Sequence, residues 1–387
     1  MRPRTTRLLV ALLAVVVAAV GCGRGGDGES SVRHQEEIVI GWTPGDITGV
    51  YKTATEFFQA GAEDANKHGF NVEVLSRAPS AHTAFAEQVA IIEDFVSQNV
   101  DVIAISPVDV EAIKPAIRRA NEAGIPVILV NLLENQPDVE IASYIGFDNA
   151  DAAAVSAYSI LDYFGGPGVL GSGPKVDVQP DTYLDRKWWE KTYENVDKEQ
   201  SQASGAIIEG VAGTLFSQER LNGFHSVADS YPGIKLQGAP IAADWNREKG
   251  VKATETLLSR FGADGLDFIW AASNEMGLGA MLTAERKAVL ATGTTAPPGK
   301  VAVFTNDVTP ESVNAIKAGK IVAETHHGFA EWGWFGTQVG VQLACGQDVP
   351  KQVDIRPRTV WKGNAQLFYP DIELPPIKWD QIKANCR

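Results

Sequence analysis

The sequence predicts an α/β protein made of two doubly wound lobes. Short, continuous apolar runs recur along it, of the kind that fill parallel sheets buried on both faces. Between them lie stripes of apolar residues spaced three and four apart, the period of a helix packed on one side. About a dozen strands emerge over 387 residues, more than one comfortable open sheet holds. Two facing sheets place a ligand site in the cleft between them, at the carboxyl ends of the strands.

The elements follow in order. Ile38 to Trp42 is an apolar strand. Tyr51, Ala54, Phe57, Phe58, Gly61, Ala62 and Ala65 form a helical stripe. Asn71 to Leu75 is a second strand, and Phe85, Val89, Ile92, Phe95 and Val96 line a second helix. Val102 to Ile105 is a buried strand, and Asp109 suits the N-cap of the helix that ends at Ala123-Gly124. Ile125 to Val130 is the fourth strand. The rhythm returns with strands near 206–210, 234–239, 267–271, 300–304 and 321–325. Helices are expected near 216–230, 246–261, 275–289 and 310–318. Residues 165–204 read as an inserted loop or helix on the second lobe, with Asp177, Asp181 and Asp185 on a solvated face. Trp332, Trp334 and Phe335 read as the buried face of a helix. Pro357, Pro370, Pro375 and Pro376 make the last segment a surface wrap rather than a sheet centre.

The first residues read as an address. Arg2, Arg4 and Arg7 precede an apolar run from Leu8 to Val20, the plan of an export leader. The run is shorter than the roughly 20 residues a spanning helix needs. Ala19-Val20-Gly21-Cys22 resembles the lipobox of bacterial lipoproteins, in which the Cys is lipidated and becomes the first residue. A tether rich in Gly, Ser and charge follows. The expected product is exported and lipid-anchored, at the outer face of the cytoplasmic membrane or in the periplasm, and touches the membrane through its anchor only. Cys345 and Cys386 remain. Two Cys left over in an oxidising exterior can pair; two buried free thiols are the alternative.

Lys and Arg number 34 against 48 Asp and Glu, a net charge of −14. Nucleic acid would be repelled overall. The zincin His-Glu-x-x-His, the Gly-x-Ser-x-Gly elbow and the Walker A loop are all missing. The expectation is therefore a binding module rather than an enzyme, with no cofactor and no metal.

Several segments carry a resemblance. They are Ala60-Gly61-Ala62-Glu63-Asp64-Ala65, Asp101 to Pro107, Ala123-Gly124-Ile125-Pro126-Val127-Ile128 and Ile145-Gly146-Phe147-Asp148-Asn149. Later come Gly213-Thr214 with Glu219 to Phe224, Ser273-Asn274-Glu275-Met276 and Ala318-Gly319-Lys320-Ile321. In this order they resemble the ribose-binding type of periplasmic sugar-binding proteins, over about residues 38–345. The resemblance implies a type I periplasmic-binding-protein fold, with two Rossmann-like lobes joined by three hinge crossings near Gly146, Gly328 and Asp354. It divides the chain into a leader (1–21), a tether (22–36), an N-terminal lobe (37–146 and 328–354), a C-terminal lobe (147–327) and a wrapping segment on the second lobe (355–387). It also implies a monomer that closes on one small ligand and serves an ABC permease. A receptor feeding a histidine kinase or chemoreceptor, for a sugar or an autoinducer, is the alternative.

Sugars offer apolar C–H faces and a belt of hydroxyls that both donate and accept, so aromatic rings and planar polar groups suit them. The resemblance points to Trp42 and Tyr51 for stacking and Asp46 for hydroxyls, although the loop after strand one is longer here than in the family. It further points to Asn131, Gln218, Trp245, Asn274, Asp307 and His327. Leu132 and Gln218 stand where the family has two ligand-gripping Arg. The expected ligand is consequently a neutral sugar or polyol held without a guanidinium fork.

Overall fold

The computed structural model describes residues 37–173 and 175–386. The leader, the tether and the lipobox Cys22 lie outside the described residues.

The described residues form one compact unit built on two sheets. The first holds β1 (Ile38–Thr43), β2 (Val72–Ser76), β3 (Val102–Ile105), β4 (Val127–Val130), β5 (Ser143–Gly146) and β12 (Gln352–Asp354), in the order β12-β5-β4-β3-β1-β2. Every pairing in it is parallel. The second holds β6 (Ala203–Glu209), β7 (Ile234–Leu236), β8 (Ile241–Ala242), β9 (Phe268–Ala271), β10 (Ala302–Asp307), β11 (Ala323–His326) and β13 (Arg358–Trp361), in the order β13-β11-β10-β9-β6-β7, with β8 also on β6. Only β13 runs antiparallel there. In each sheet the strand order reverses direction beside its first strand, β1 or β6, which marks the switch point where such sheets take ligands.

Helices cover both faces: α1 (Gly49–Lys67), α2 (Phe85–Ser97), α3 (Val110–Glu122) and α10 (Phe329–Ala344) on the first sheet, and α4 (Asn149–Tyr163), α6 (Leu215–Ala228), α7 (Arg247–Phe261), α8 (Asn274–Arg286) and α9 (Pro310–Lys317) on the second. Local chemistry sets their starts. Asp109 accepts from the Ala112 amide at 2.8 Å, and Asn246 from Lys249 at 3.0 Å. α9 opens with a capping box between Thr309 and Ser312. The strands β3, β4 and β9 are buried at every position, which is why they read as unbroken apolar runs.

The chain passes from the first sheet to the second after Gly146, returns after His326, and leaves again after Asp354. Gly328 caps α10 with φ 78°, and a Cβ there would lie 2.3 Å from the Ile355 side chain. Two crossings therefore touch at a position only glycine fills without strain.

The last segment corrects the expectation that it lies on the second lobe alone. β13 does join the second sheet. The chain then returns, and α11 (Trp379–Ala384) docks on the first lobe. Trp334 Nε1 donates to Pro375 O at 2.8 Å, and Trp379 Nε1 donates to Asp64 at 2.8 Å. Cys345 and Cys386 are joined as a disulfide, 41 residues apart in sequence. Opening a loop of that size is expected to cost about 2–4 kcal/mol. The Cys345→Ser/Cys386→Ser double variant should melt earlier by that margin, read in a denaturant titration.

Residues 165–204 contain the short helix α5 (Arg186–Tyr193), pinned to the second lobe by buried Leu184, Trp189 and Tyr193. Asp177 and Asp181 are exposed. Asp185 is not on their solvated face: it is buried, caps α5 through the Trp188 amide at 3.0 Å and pairs with Arg356 at 2.8 Å. Trp332 is fully buried on the inner face of α10, whereas Trp334 and Phe335, expected on the same buried face, are only partly buried.

Candidate functional site

A chamber lies between the carboxyl ends of the two sheets. The first lobe contributes Asp46, Thr48, Val50 and Tyr51 after β1, His82 before α2, Pro107 and Val108 after β3, and Asn131 after β4. The second contributes Phe216 and Arg220 on α6, Trp245 after β8, Ser273 and Asn274 after β9, Glu275 on α8, and Asp307 at the end of β10. Phe329, beside the α10 crossing, closes the back.

Arg220 and Asp307 form the electrostatic centre, with only 6% and 5% of their side chains exposed and Nη1 3.1 Å from Oδ1. Arg220 also donates through Nε to Asn149 at 3.0 Å and through Nη1 to the Ala272 carbonyl. Asp307 accepts from the Asn274 amide at 3.0 Å and lies 3.0 Å from His327 Nδ1. Burial opposes ionisation of Asp307, but the Arg220 charge and the His327 hydrogen bond outweigh it and hold the carboxyl below its ordinary value. Burial likewise pushes His327 down to about 4 against the pull of Asp307, with Arg220 adding to the depression. His327 is thus neutral at pH 7, and its Nδ1–H donates to Asp307.

Behind this pair, Asn274 Nδ2 donates to Glu324 Oε1 at 2.6 Å, and the Thr309 hydroxyl donates to Asn274 Oδ1 at 3.3 Å. The Asn274 amide is thereby fixed in one orientation. Burial raises the Glu324 carboxyl to about 8, so it is protonated at neutral pH. A group raised on folding stabilises fully below its unfolded value, near 4.5, and loses that contribution as pH rises through 8. Glu324→Gln, which stays neutral, should abolish this part of the fall in melting temperature between pH 5 and pH 9. An unchanged fall in the variant would contradict the assignment.

On the first lobe Asp46 accepts from the Thr48 amide and hydroxyl, both at 2.9 Å, and lies 3.3 Å from His82 Nε2. Burial works against its charge, but His82 and Thr48 together hold the carboxyl below its usual range. The Tyr51 hydroxyl accepts from Ser106 at 3.3 Å and is kept protonated by burial. Trp245 flanks the Arg220 guanidinium, 5.2 Å from ring centroid to Cζ. Its approach depends on Gly210, where a Cβ would lie 2.0 Å from the indole.

Two polar atoms that line the chamber are buried without any partner: Asn131 Oδ1 and Ser273 Oγ. Buried polar atoms cost stability unless hydrogen-bonded, so these two carry unmet hydrogen-bonding capacity at the chamber wall. They sit among the rings of Tyr51, Phe216, Trp245 and Phe329.

A family model for the periplasmic binding protein domain matches residues 40–348. The chain belongs to the periplasmic binding protein family. It is similar to the ribose import binding protein of Bacillus subtilis, 30% identical over 57% of each chain. It is 27% identical to the fructose import binding protein of Bifidobacterium longum, over 92% of this chain and 94% of that one. Among solved structures it is similar to an ABC transporter solute binding protein from Mycobacterium smegmatis with bound glycerol. That match has a TM-score of 0.65 and 23% identity, and covers 87% of this chain and 98% of the other.

For this periplasmic binding protein the structure brings Asp46, Tyr51, Asn131, Trp245, Asn274 and Asp307 together around one chamber. Three expected residues stand elsewhere. Trp42 is fully buried, stacked on Phe58 at 4.5 Å and donating to Thr55 at 2.9 Å; as the fifth residue of β1 it belongs to the sheet core. Gln218 is exposed, because two positions along a helix turn a side chain by about 200°. Its neighbour on the inward face, Arg220, lines the chamber, which corrects the expectation of a site without a guanidinium. His327 is fully buried and positions Asp307 from behind. Arg220, His82, Phe216 and Phe329 join the site without having been singled out as contacts, and Thr48 and Ser273 join it beside the expected Asp46 and Asn274. Ser273 and Arg220 sat in the family-like segments, but His82 and Phe329 carried no signal in spacing.

Proposed function

We propose that the protein is the lipid-anchored, extracytoplasmic receptor of an ABC importer, and that it closes its two lobes on one small, neutral, polyhydroxylated ligand. The observation that carries this reading is the pair of unpartnered, buried acceptors Asn131 Oδ1 and Ser273 Oγ in a chamber walled by four aromatic rings. Hydroxyls satisfy such atoms by donating, while the rings cover C–H faces. The one guanidinium is neutralised in place by Asp307, so an anionic ligand would have to break a buried ion pair. The named relatives, which import ribose and fructose, and the glycerol-bound neighbour fit this chemistry.

Lobes 37–146 with 328–354, and 147–327, would rotate about the crossings at Gly146, Gly328 and Asp354. Cys22 would anchor the folded unit through the 22–36 tether, beside the permease, with the protein working as a monomer. The chamber binds and encloses a ligand, and the reading assigns it no catalytic step.

Calorimetric titration of the folded unit with free pentoses, hexoses and polyols, against sugar phosphates and amino acids, tests the ligand class. Saturable 1:1 binding confined to neutral polyhydroxylated compounds is expected. Binding confined to the charged set would overturn the reading.

A further inference from the structure

The chamber opens outward into a second, larger cavity. The inner one has a volume of about 40 Å³. The outer one measures about 600 Å³ and shares Asp46, Thr48, His82, Trp245 and Glu275 with the inner. Trp245 therefore belongs to both, and a ring stacked on it has one edge facing the outer cavity. The lobes already meet at the rim, where a Cβ on Gly49 would lie 2.5 Å from Glu275 Oε1. The outer cavity is open even where the lobes touch.

Its chemistry is mixed, and Asp46, Asp244, Glu248 and Glu275 on its wall outnumber Arg247 and Lys249. Apolar surface comes from Pro79, Ala81 and Ile47, the last 75% exposed. Its two lining cations are matched: Arg247 lies 2.8 Å from both Glu275 and Glu311, and Lys249 pairs with Asp244. A phosphate or carboxylate would compete with these pairs, whereas a second sugar ring or an apolar aglycone would not.

We infer that the outer cavity is a second subsite, and that the natural ligand is a neutral glycoside or disaccharide whose inner ring fills the chamber and whose second unit rests between Ile47 and Trp245. This inference rests on the sugar-binding reading above and narrows it to a substrate class.

The test is calorimetric titration of the folded unit with D-ribose, D-allose, D-xylose, D-glucose and D-galactose, each beside its methyl and phenyl α- and β-glycosides, together with xylobiose, maltose, cellobiose and lactose. For a sugar that binds, a phenyl glycoside or disaccharide should bind at least tenfold more tightly than the free sugar. Ala81→Trp, at an exposed position that lines only the outer cavity, should erase that advantage and leave the free-sugar affinity unchanged; so should Ile47→Asp. Free-sugar binding with glycosides equal or weaker overturns the second subsite and leaves the sugar reading standing. Silence from every free sugar and every glycoside overturns both.

Discussion

Asp307→Asn is expected to destabilise the folded protein by about 3–5 kcal/mol, the usual cost of stranding one member of a buried ion pair. The reason is local. Arg220 is 5% exposed as a residue, and its charge is balanced within hydrogen-bond reach by Asp307, at 3.1 Å. Asn keeps the shape and can still accept from the Asn274 amide, but it leaves the guanidinium buried without a counter-charge. A chemical denaturation curve reads the loss directly. The pH dependence provides an independent check. A carboxyl whose folded value is depressed contributes stability that is present above its unfolded value, near 3.8, and is lost as pH falls through the lower folded value. The wild-type protein should therefore shed this contribution only in strong acid, and the Asn variant should lack that step. Arg220→Met with Asp307→Asn should recover part of the stability, because no buried charge is then left unpaired, while Asn149 Oδ1 loses its donor. A double variant no better than Asp307→Asn alone would contradict the account.

Trp245→Ala is expected to weaken ligand binding at least a hundredfold, about 2.7 kcal/mol, with little change in fold. Trp245 is only half-buried, unlike the core indoles of Trp42, Trp270 and Trp332. It leans on the edge of one hydrophobic cluster in each lobe without filling either. Its removal deletes the apolar platform for a ring face and exposes the Arg220 guanidinium to water. Trp245→Phe should restore most of the affinity, since a smaller ring still covers C–H surface. Wild-type affinity in the Ala variant would place the ligand elsewhere.

The alternation of apolar strands and amphipathic helices was enough to read the centre of both sheets, because parallel strands buried on two faces leave a run of Val, Ile and Ala, but not the short strands β5, β8, β12 and β13. The helix start was equally plain at Asp109, which stands ahead of an apolar stripe. Asn131, Asn274 and Asp307 came from the family resemblance, and each stands at a strand end or helix start on the chamber wall. Trp42 misled for a physical reason: an indole one residue before a strand end faces either the core or the cleft according to pleat parity, and here it stacks on Phe58. Gln218 and Arg220 show the same limit on a helix, where two residues separate the solvent from the chamber. His82 came from a loop whose path no local pattern specifies. The return of the C-terminus to the first lobe was hidden too, because Trp379 and Ile382 find their partners, Phe70 and Asp64 among them, some 300 residues earlier.

The most direct test of the central claim compares the folded unit with its Asn131→Ala/Ser273→Ala variant in a thermal-shift screen of free pentoses, hexoses, deoxysugars, polyols and simple glycosides. A ligand at a hundred times its dissociation constant stabilises by about 2.7 kcal/mol, which corresponds to several degrees for a protein of this size. The account predicts such a shift for at least one member in the wild type and its loss in the variant. An equal shift in the two proteins, or no shift from any member, would contradict it.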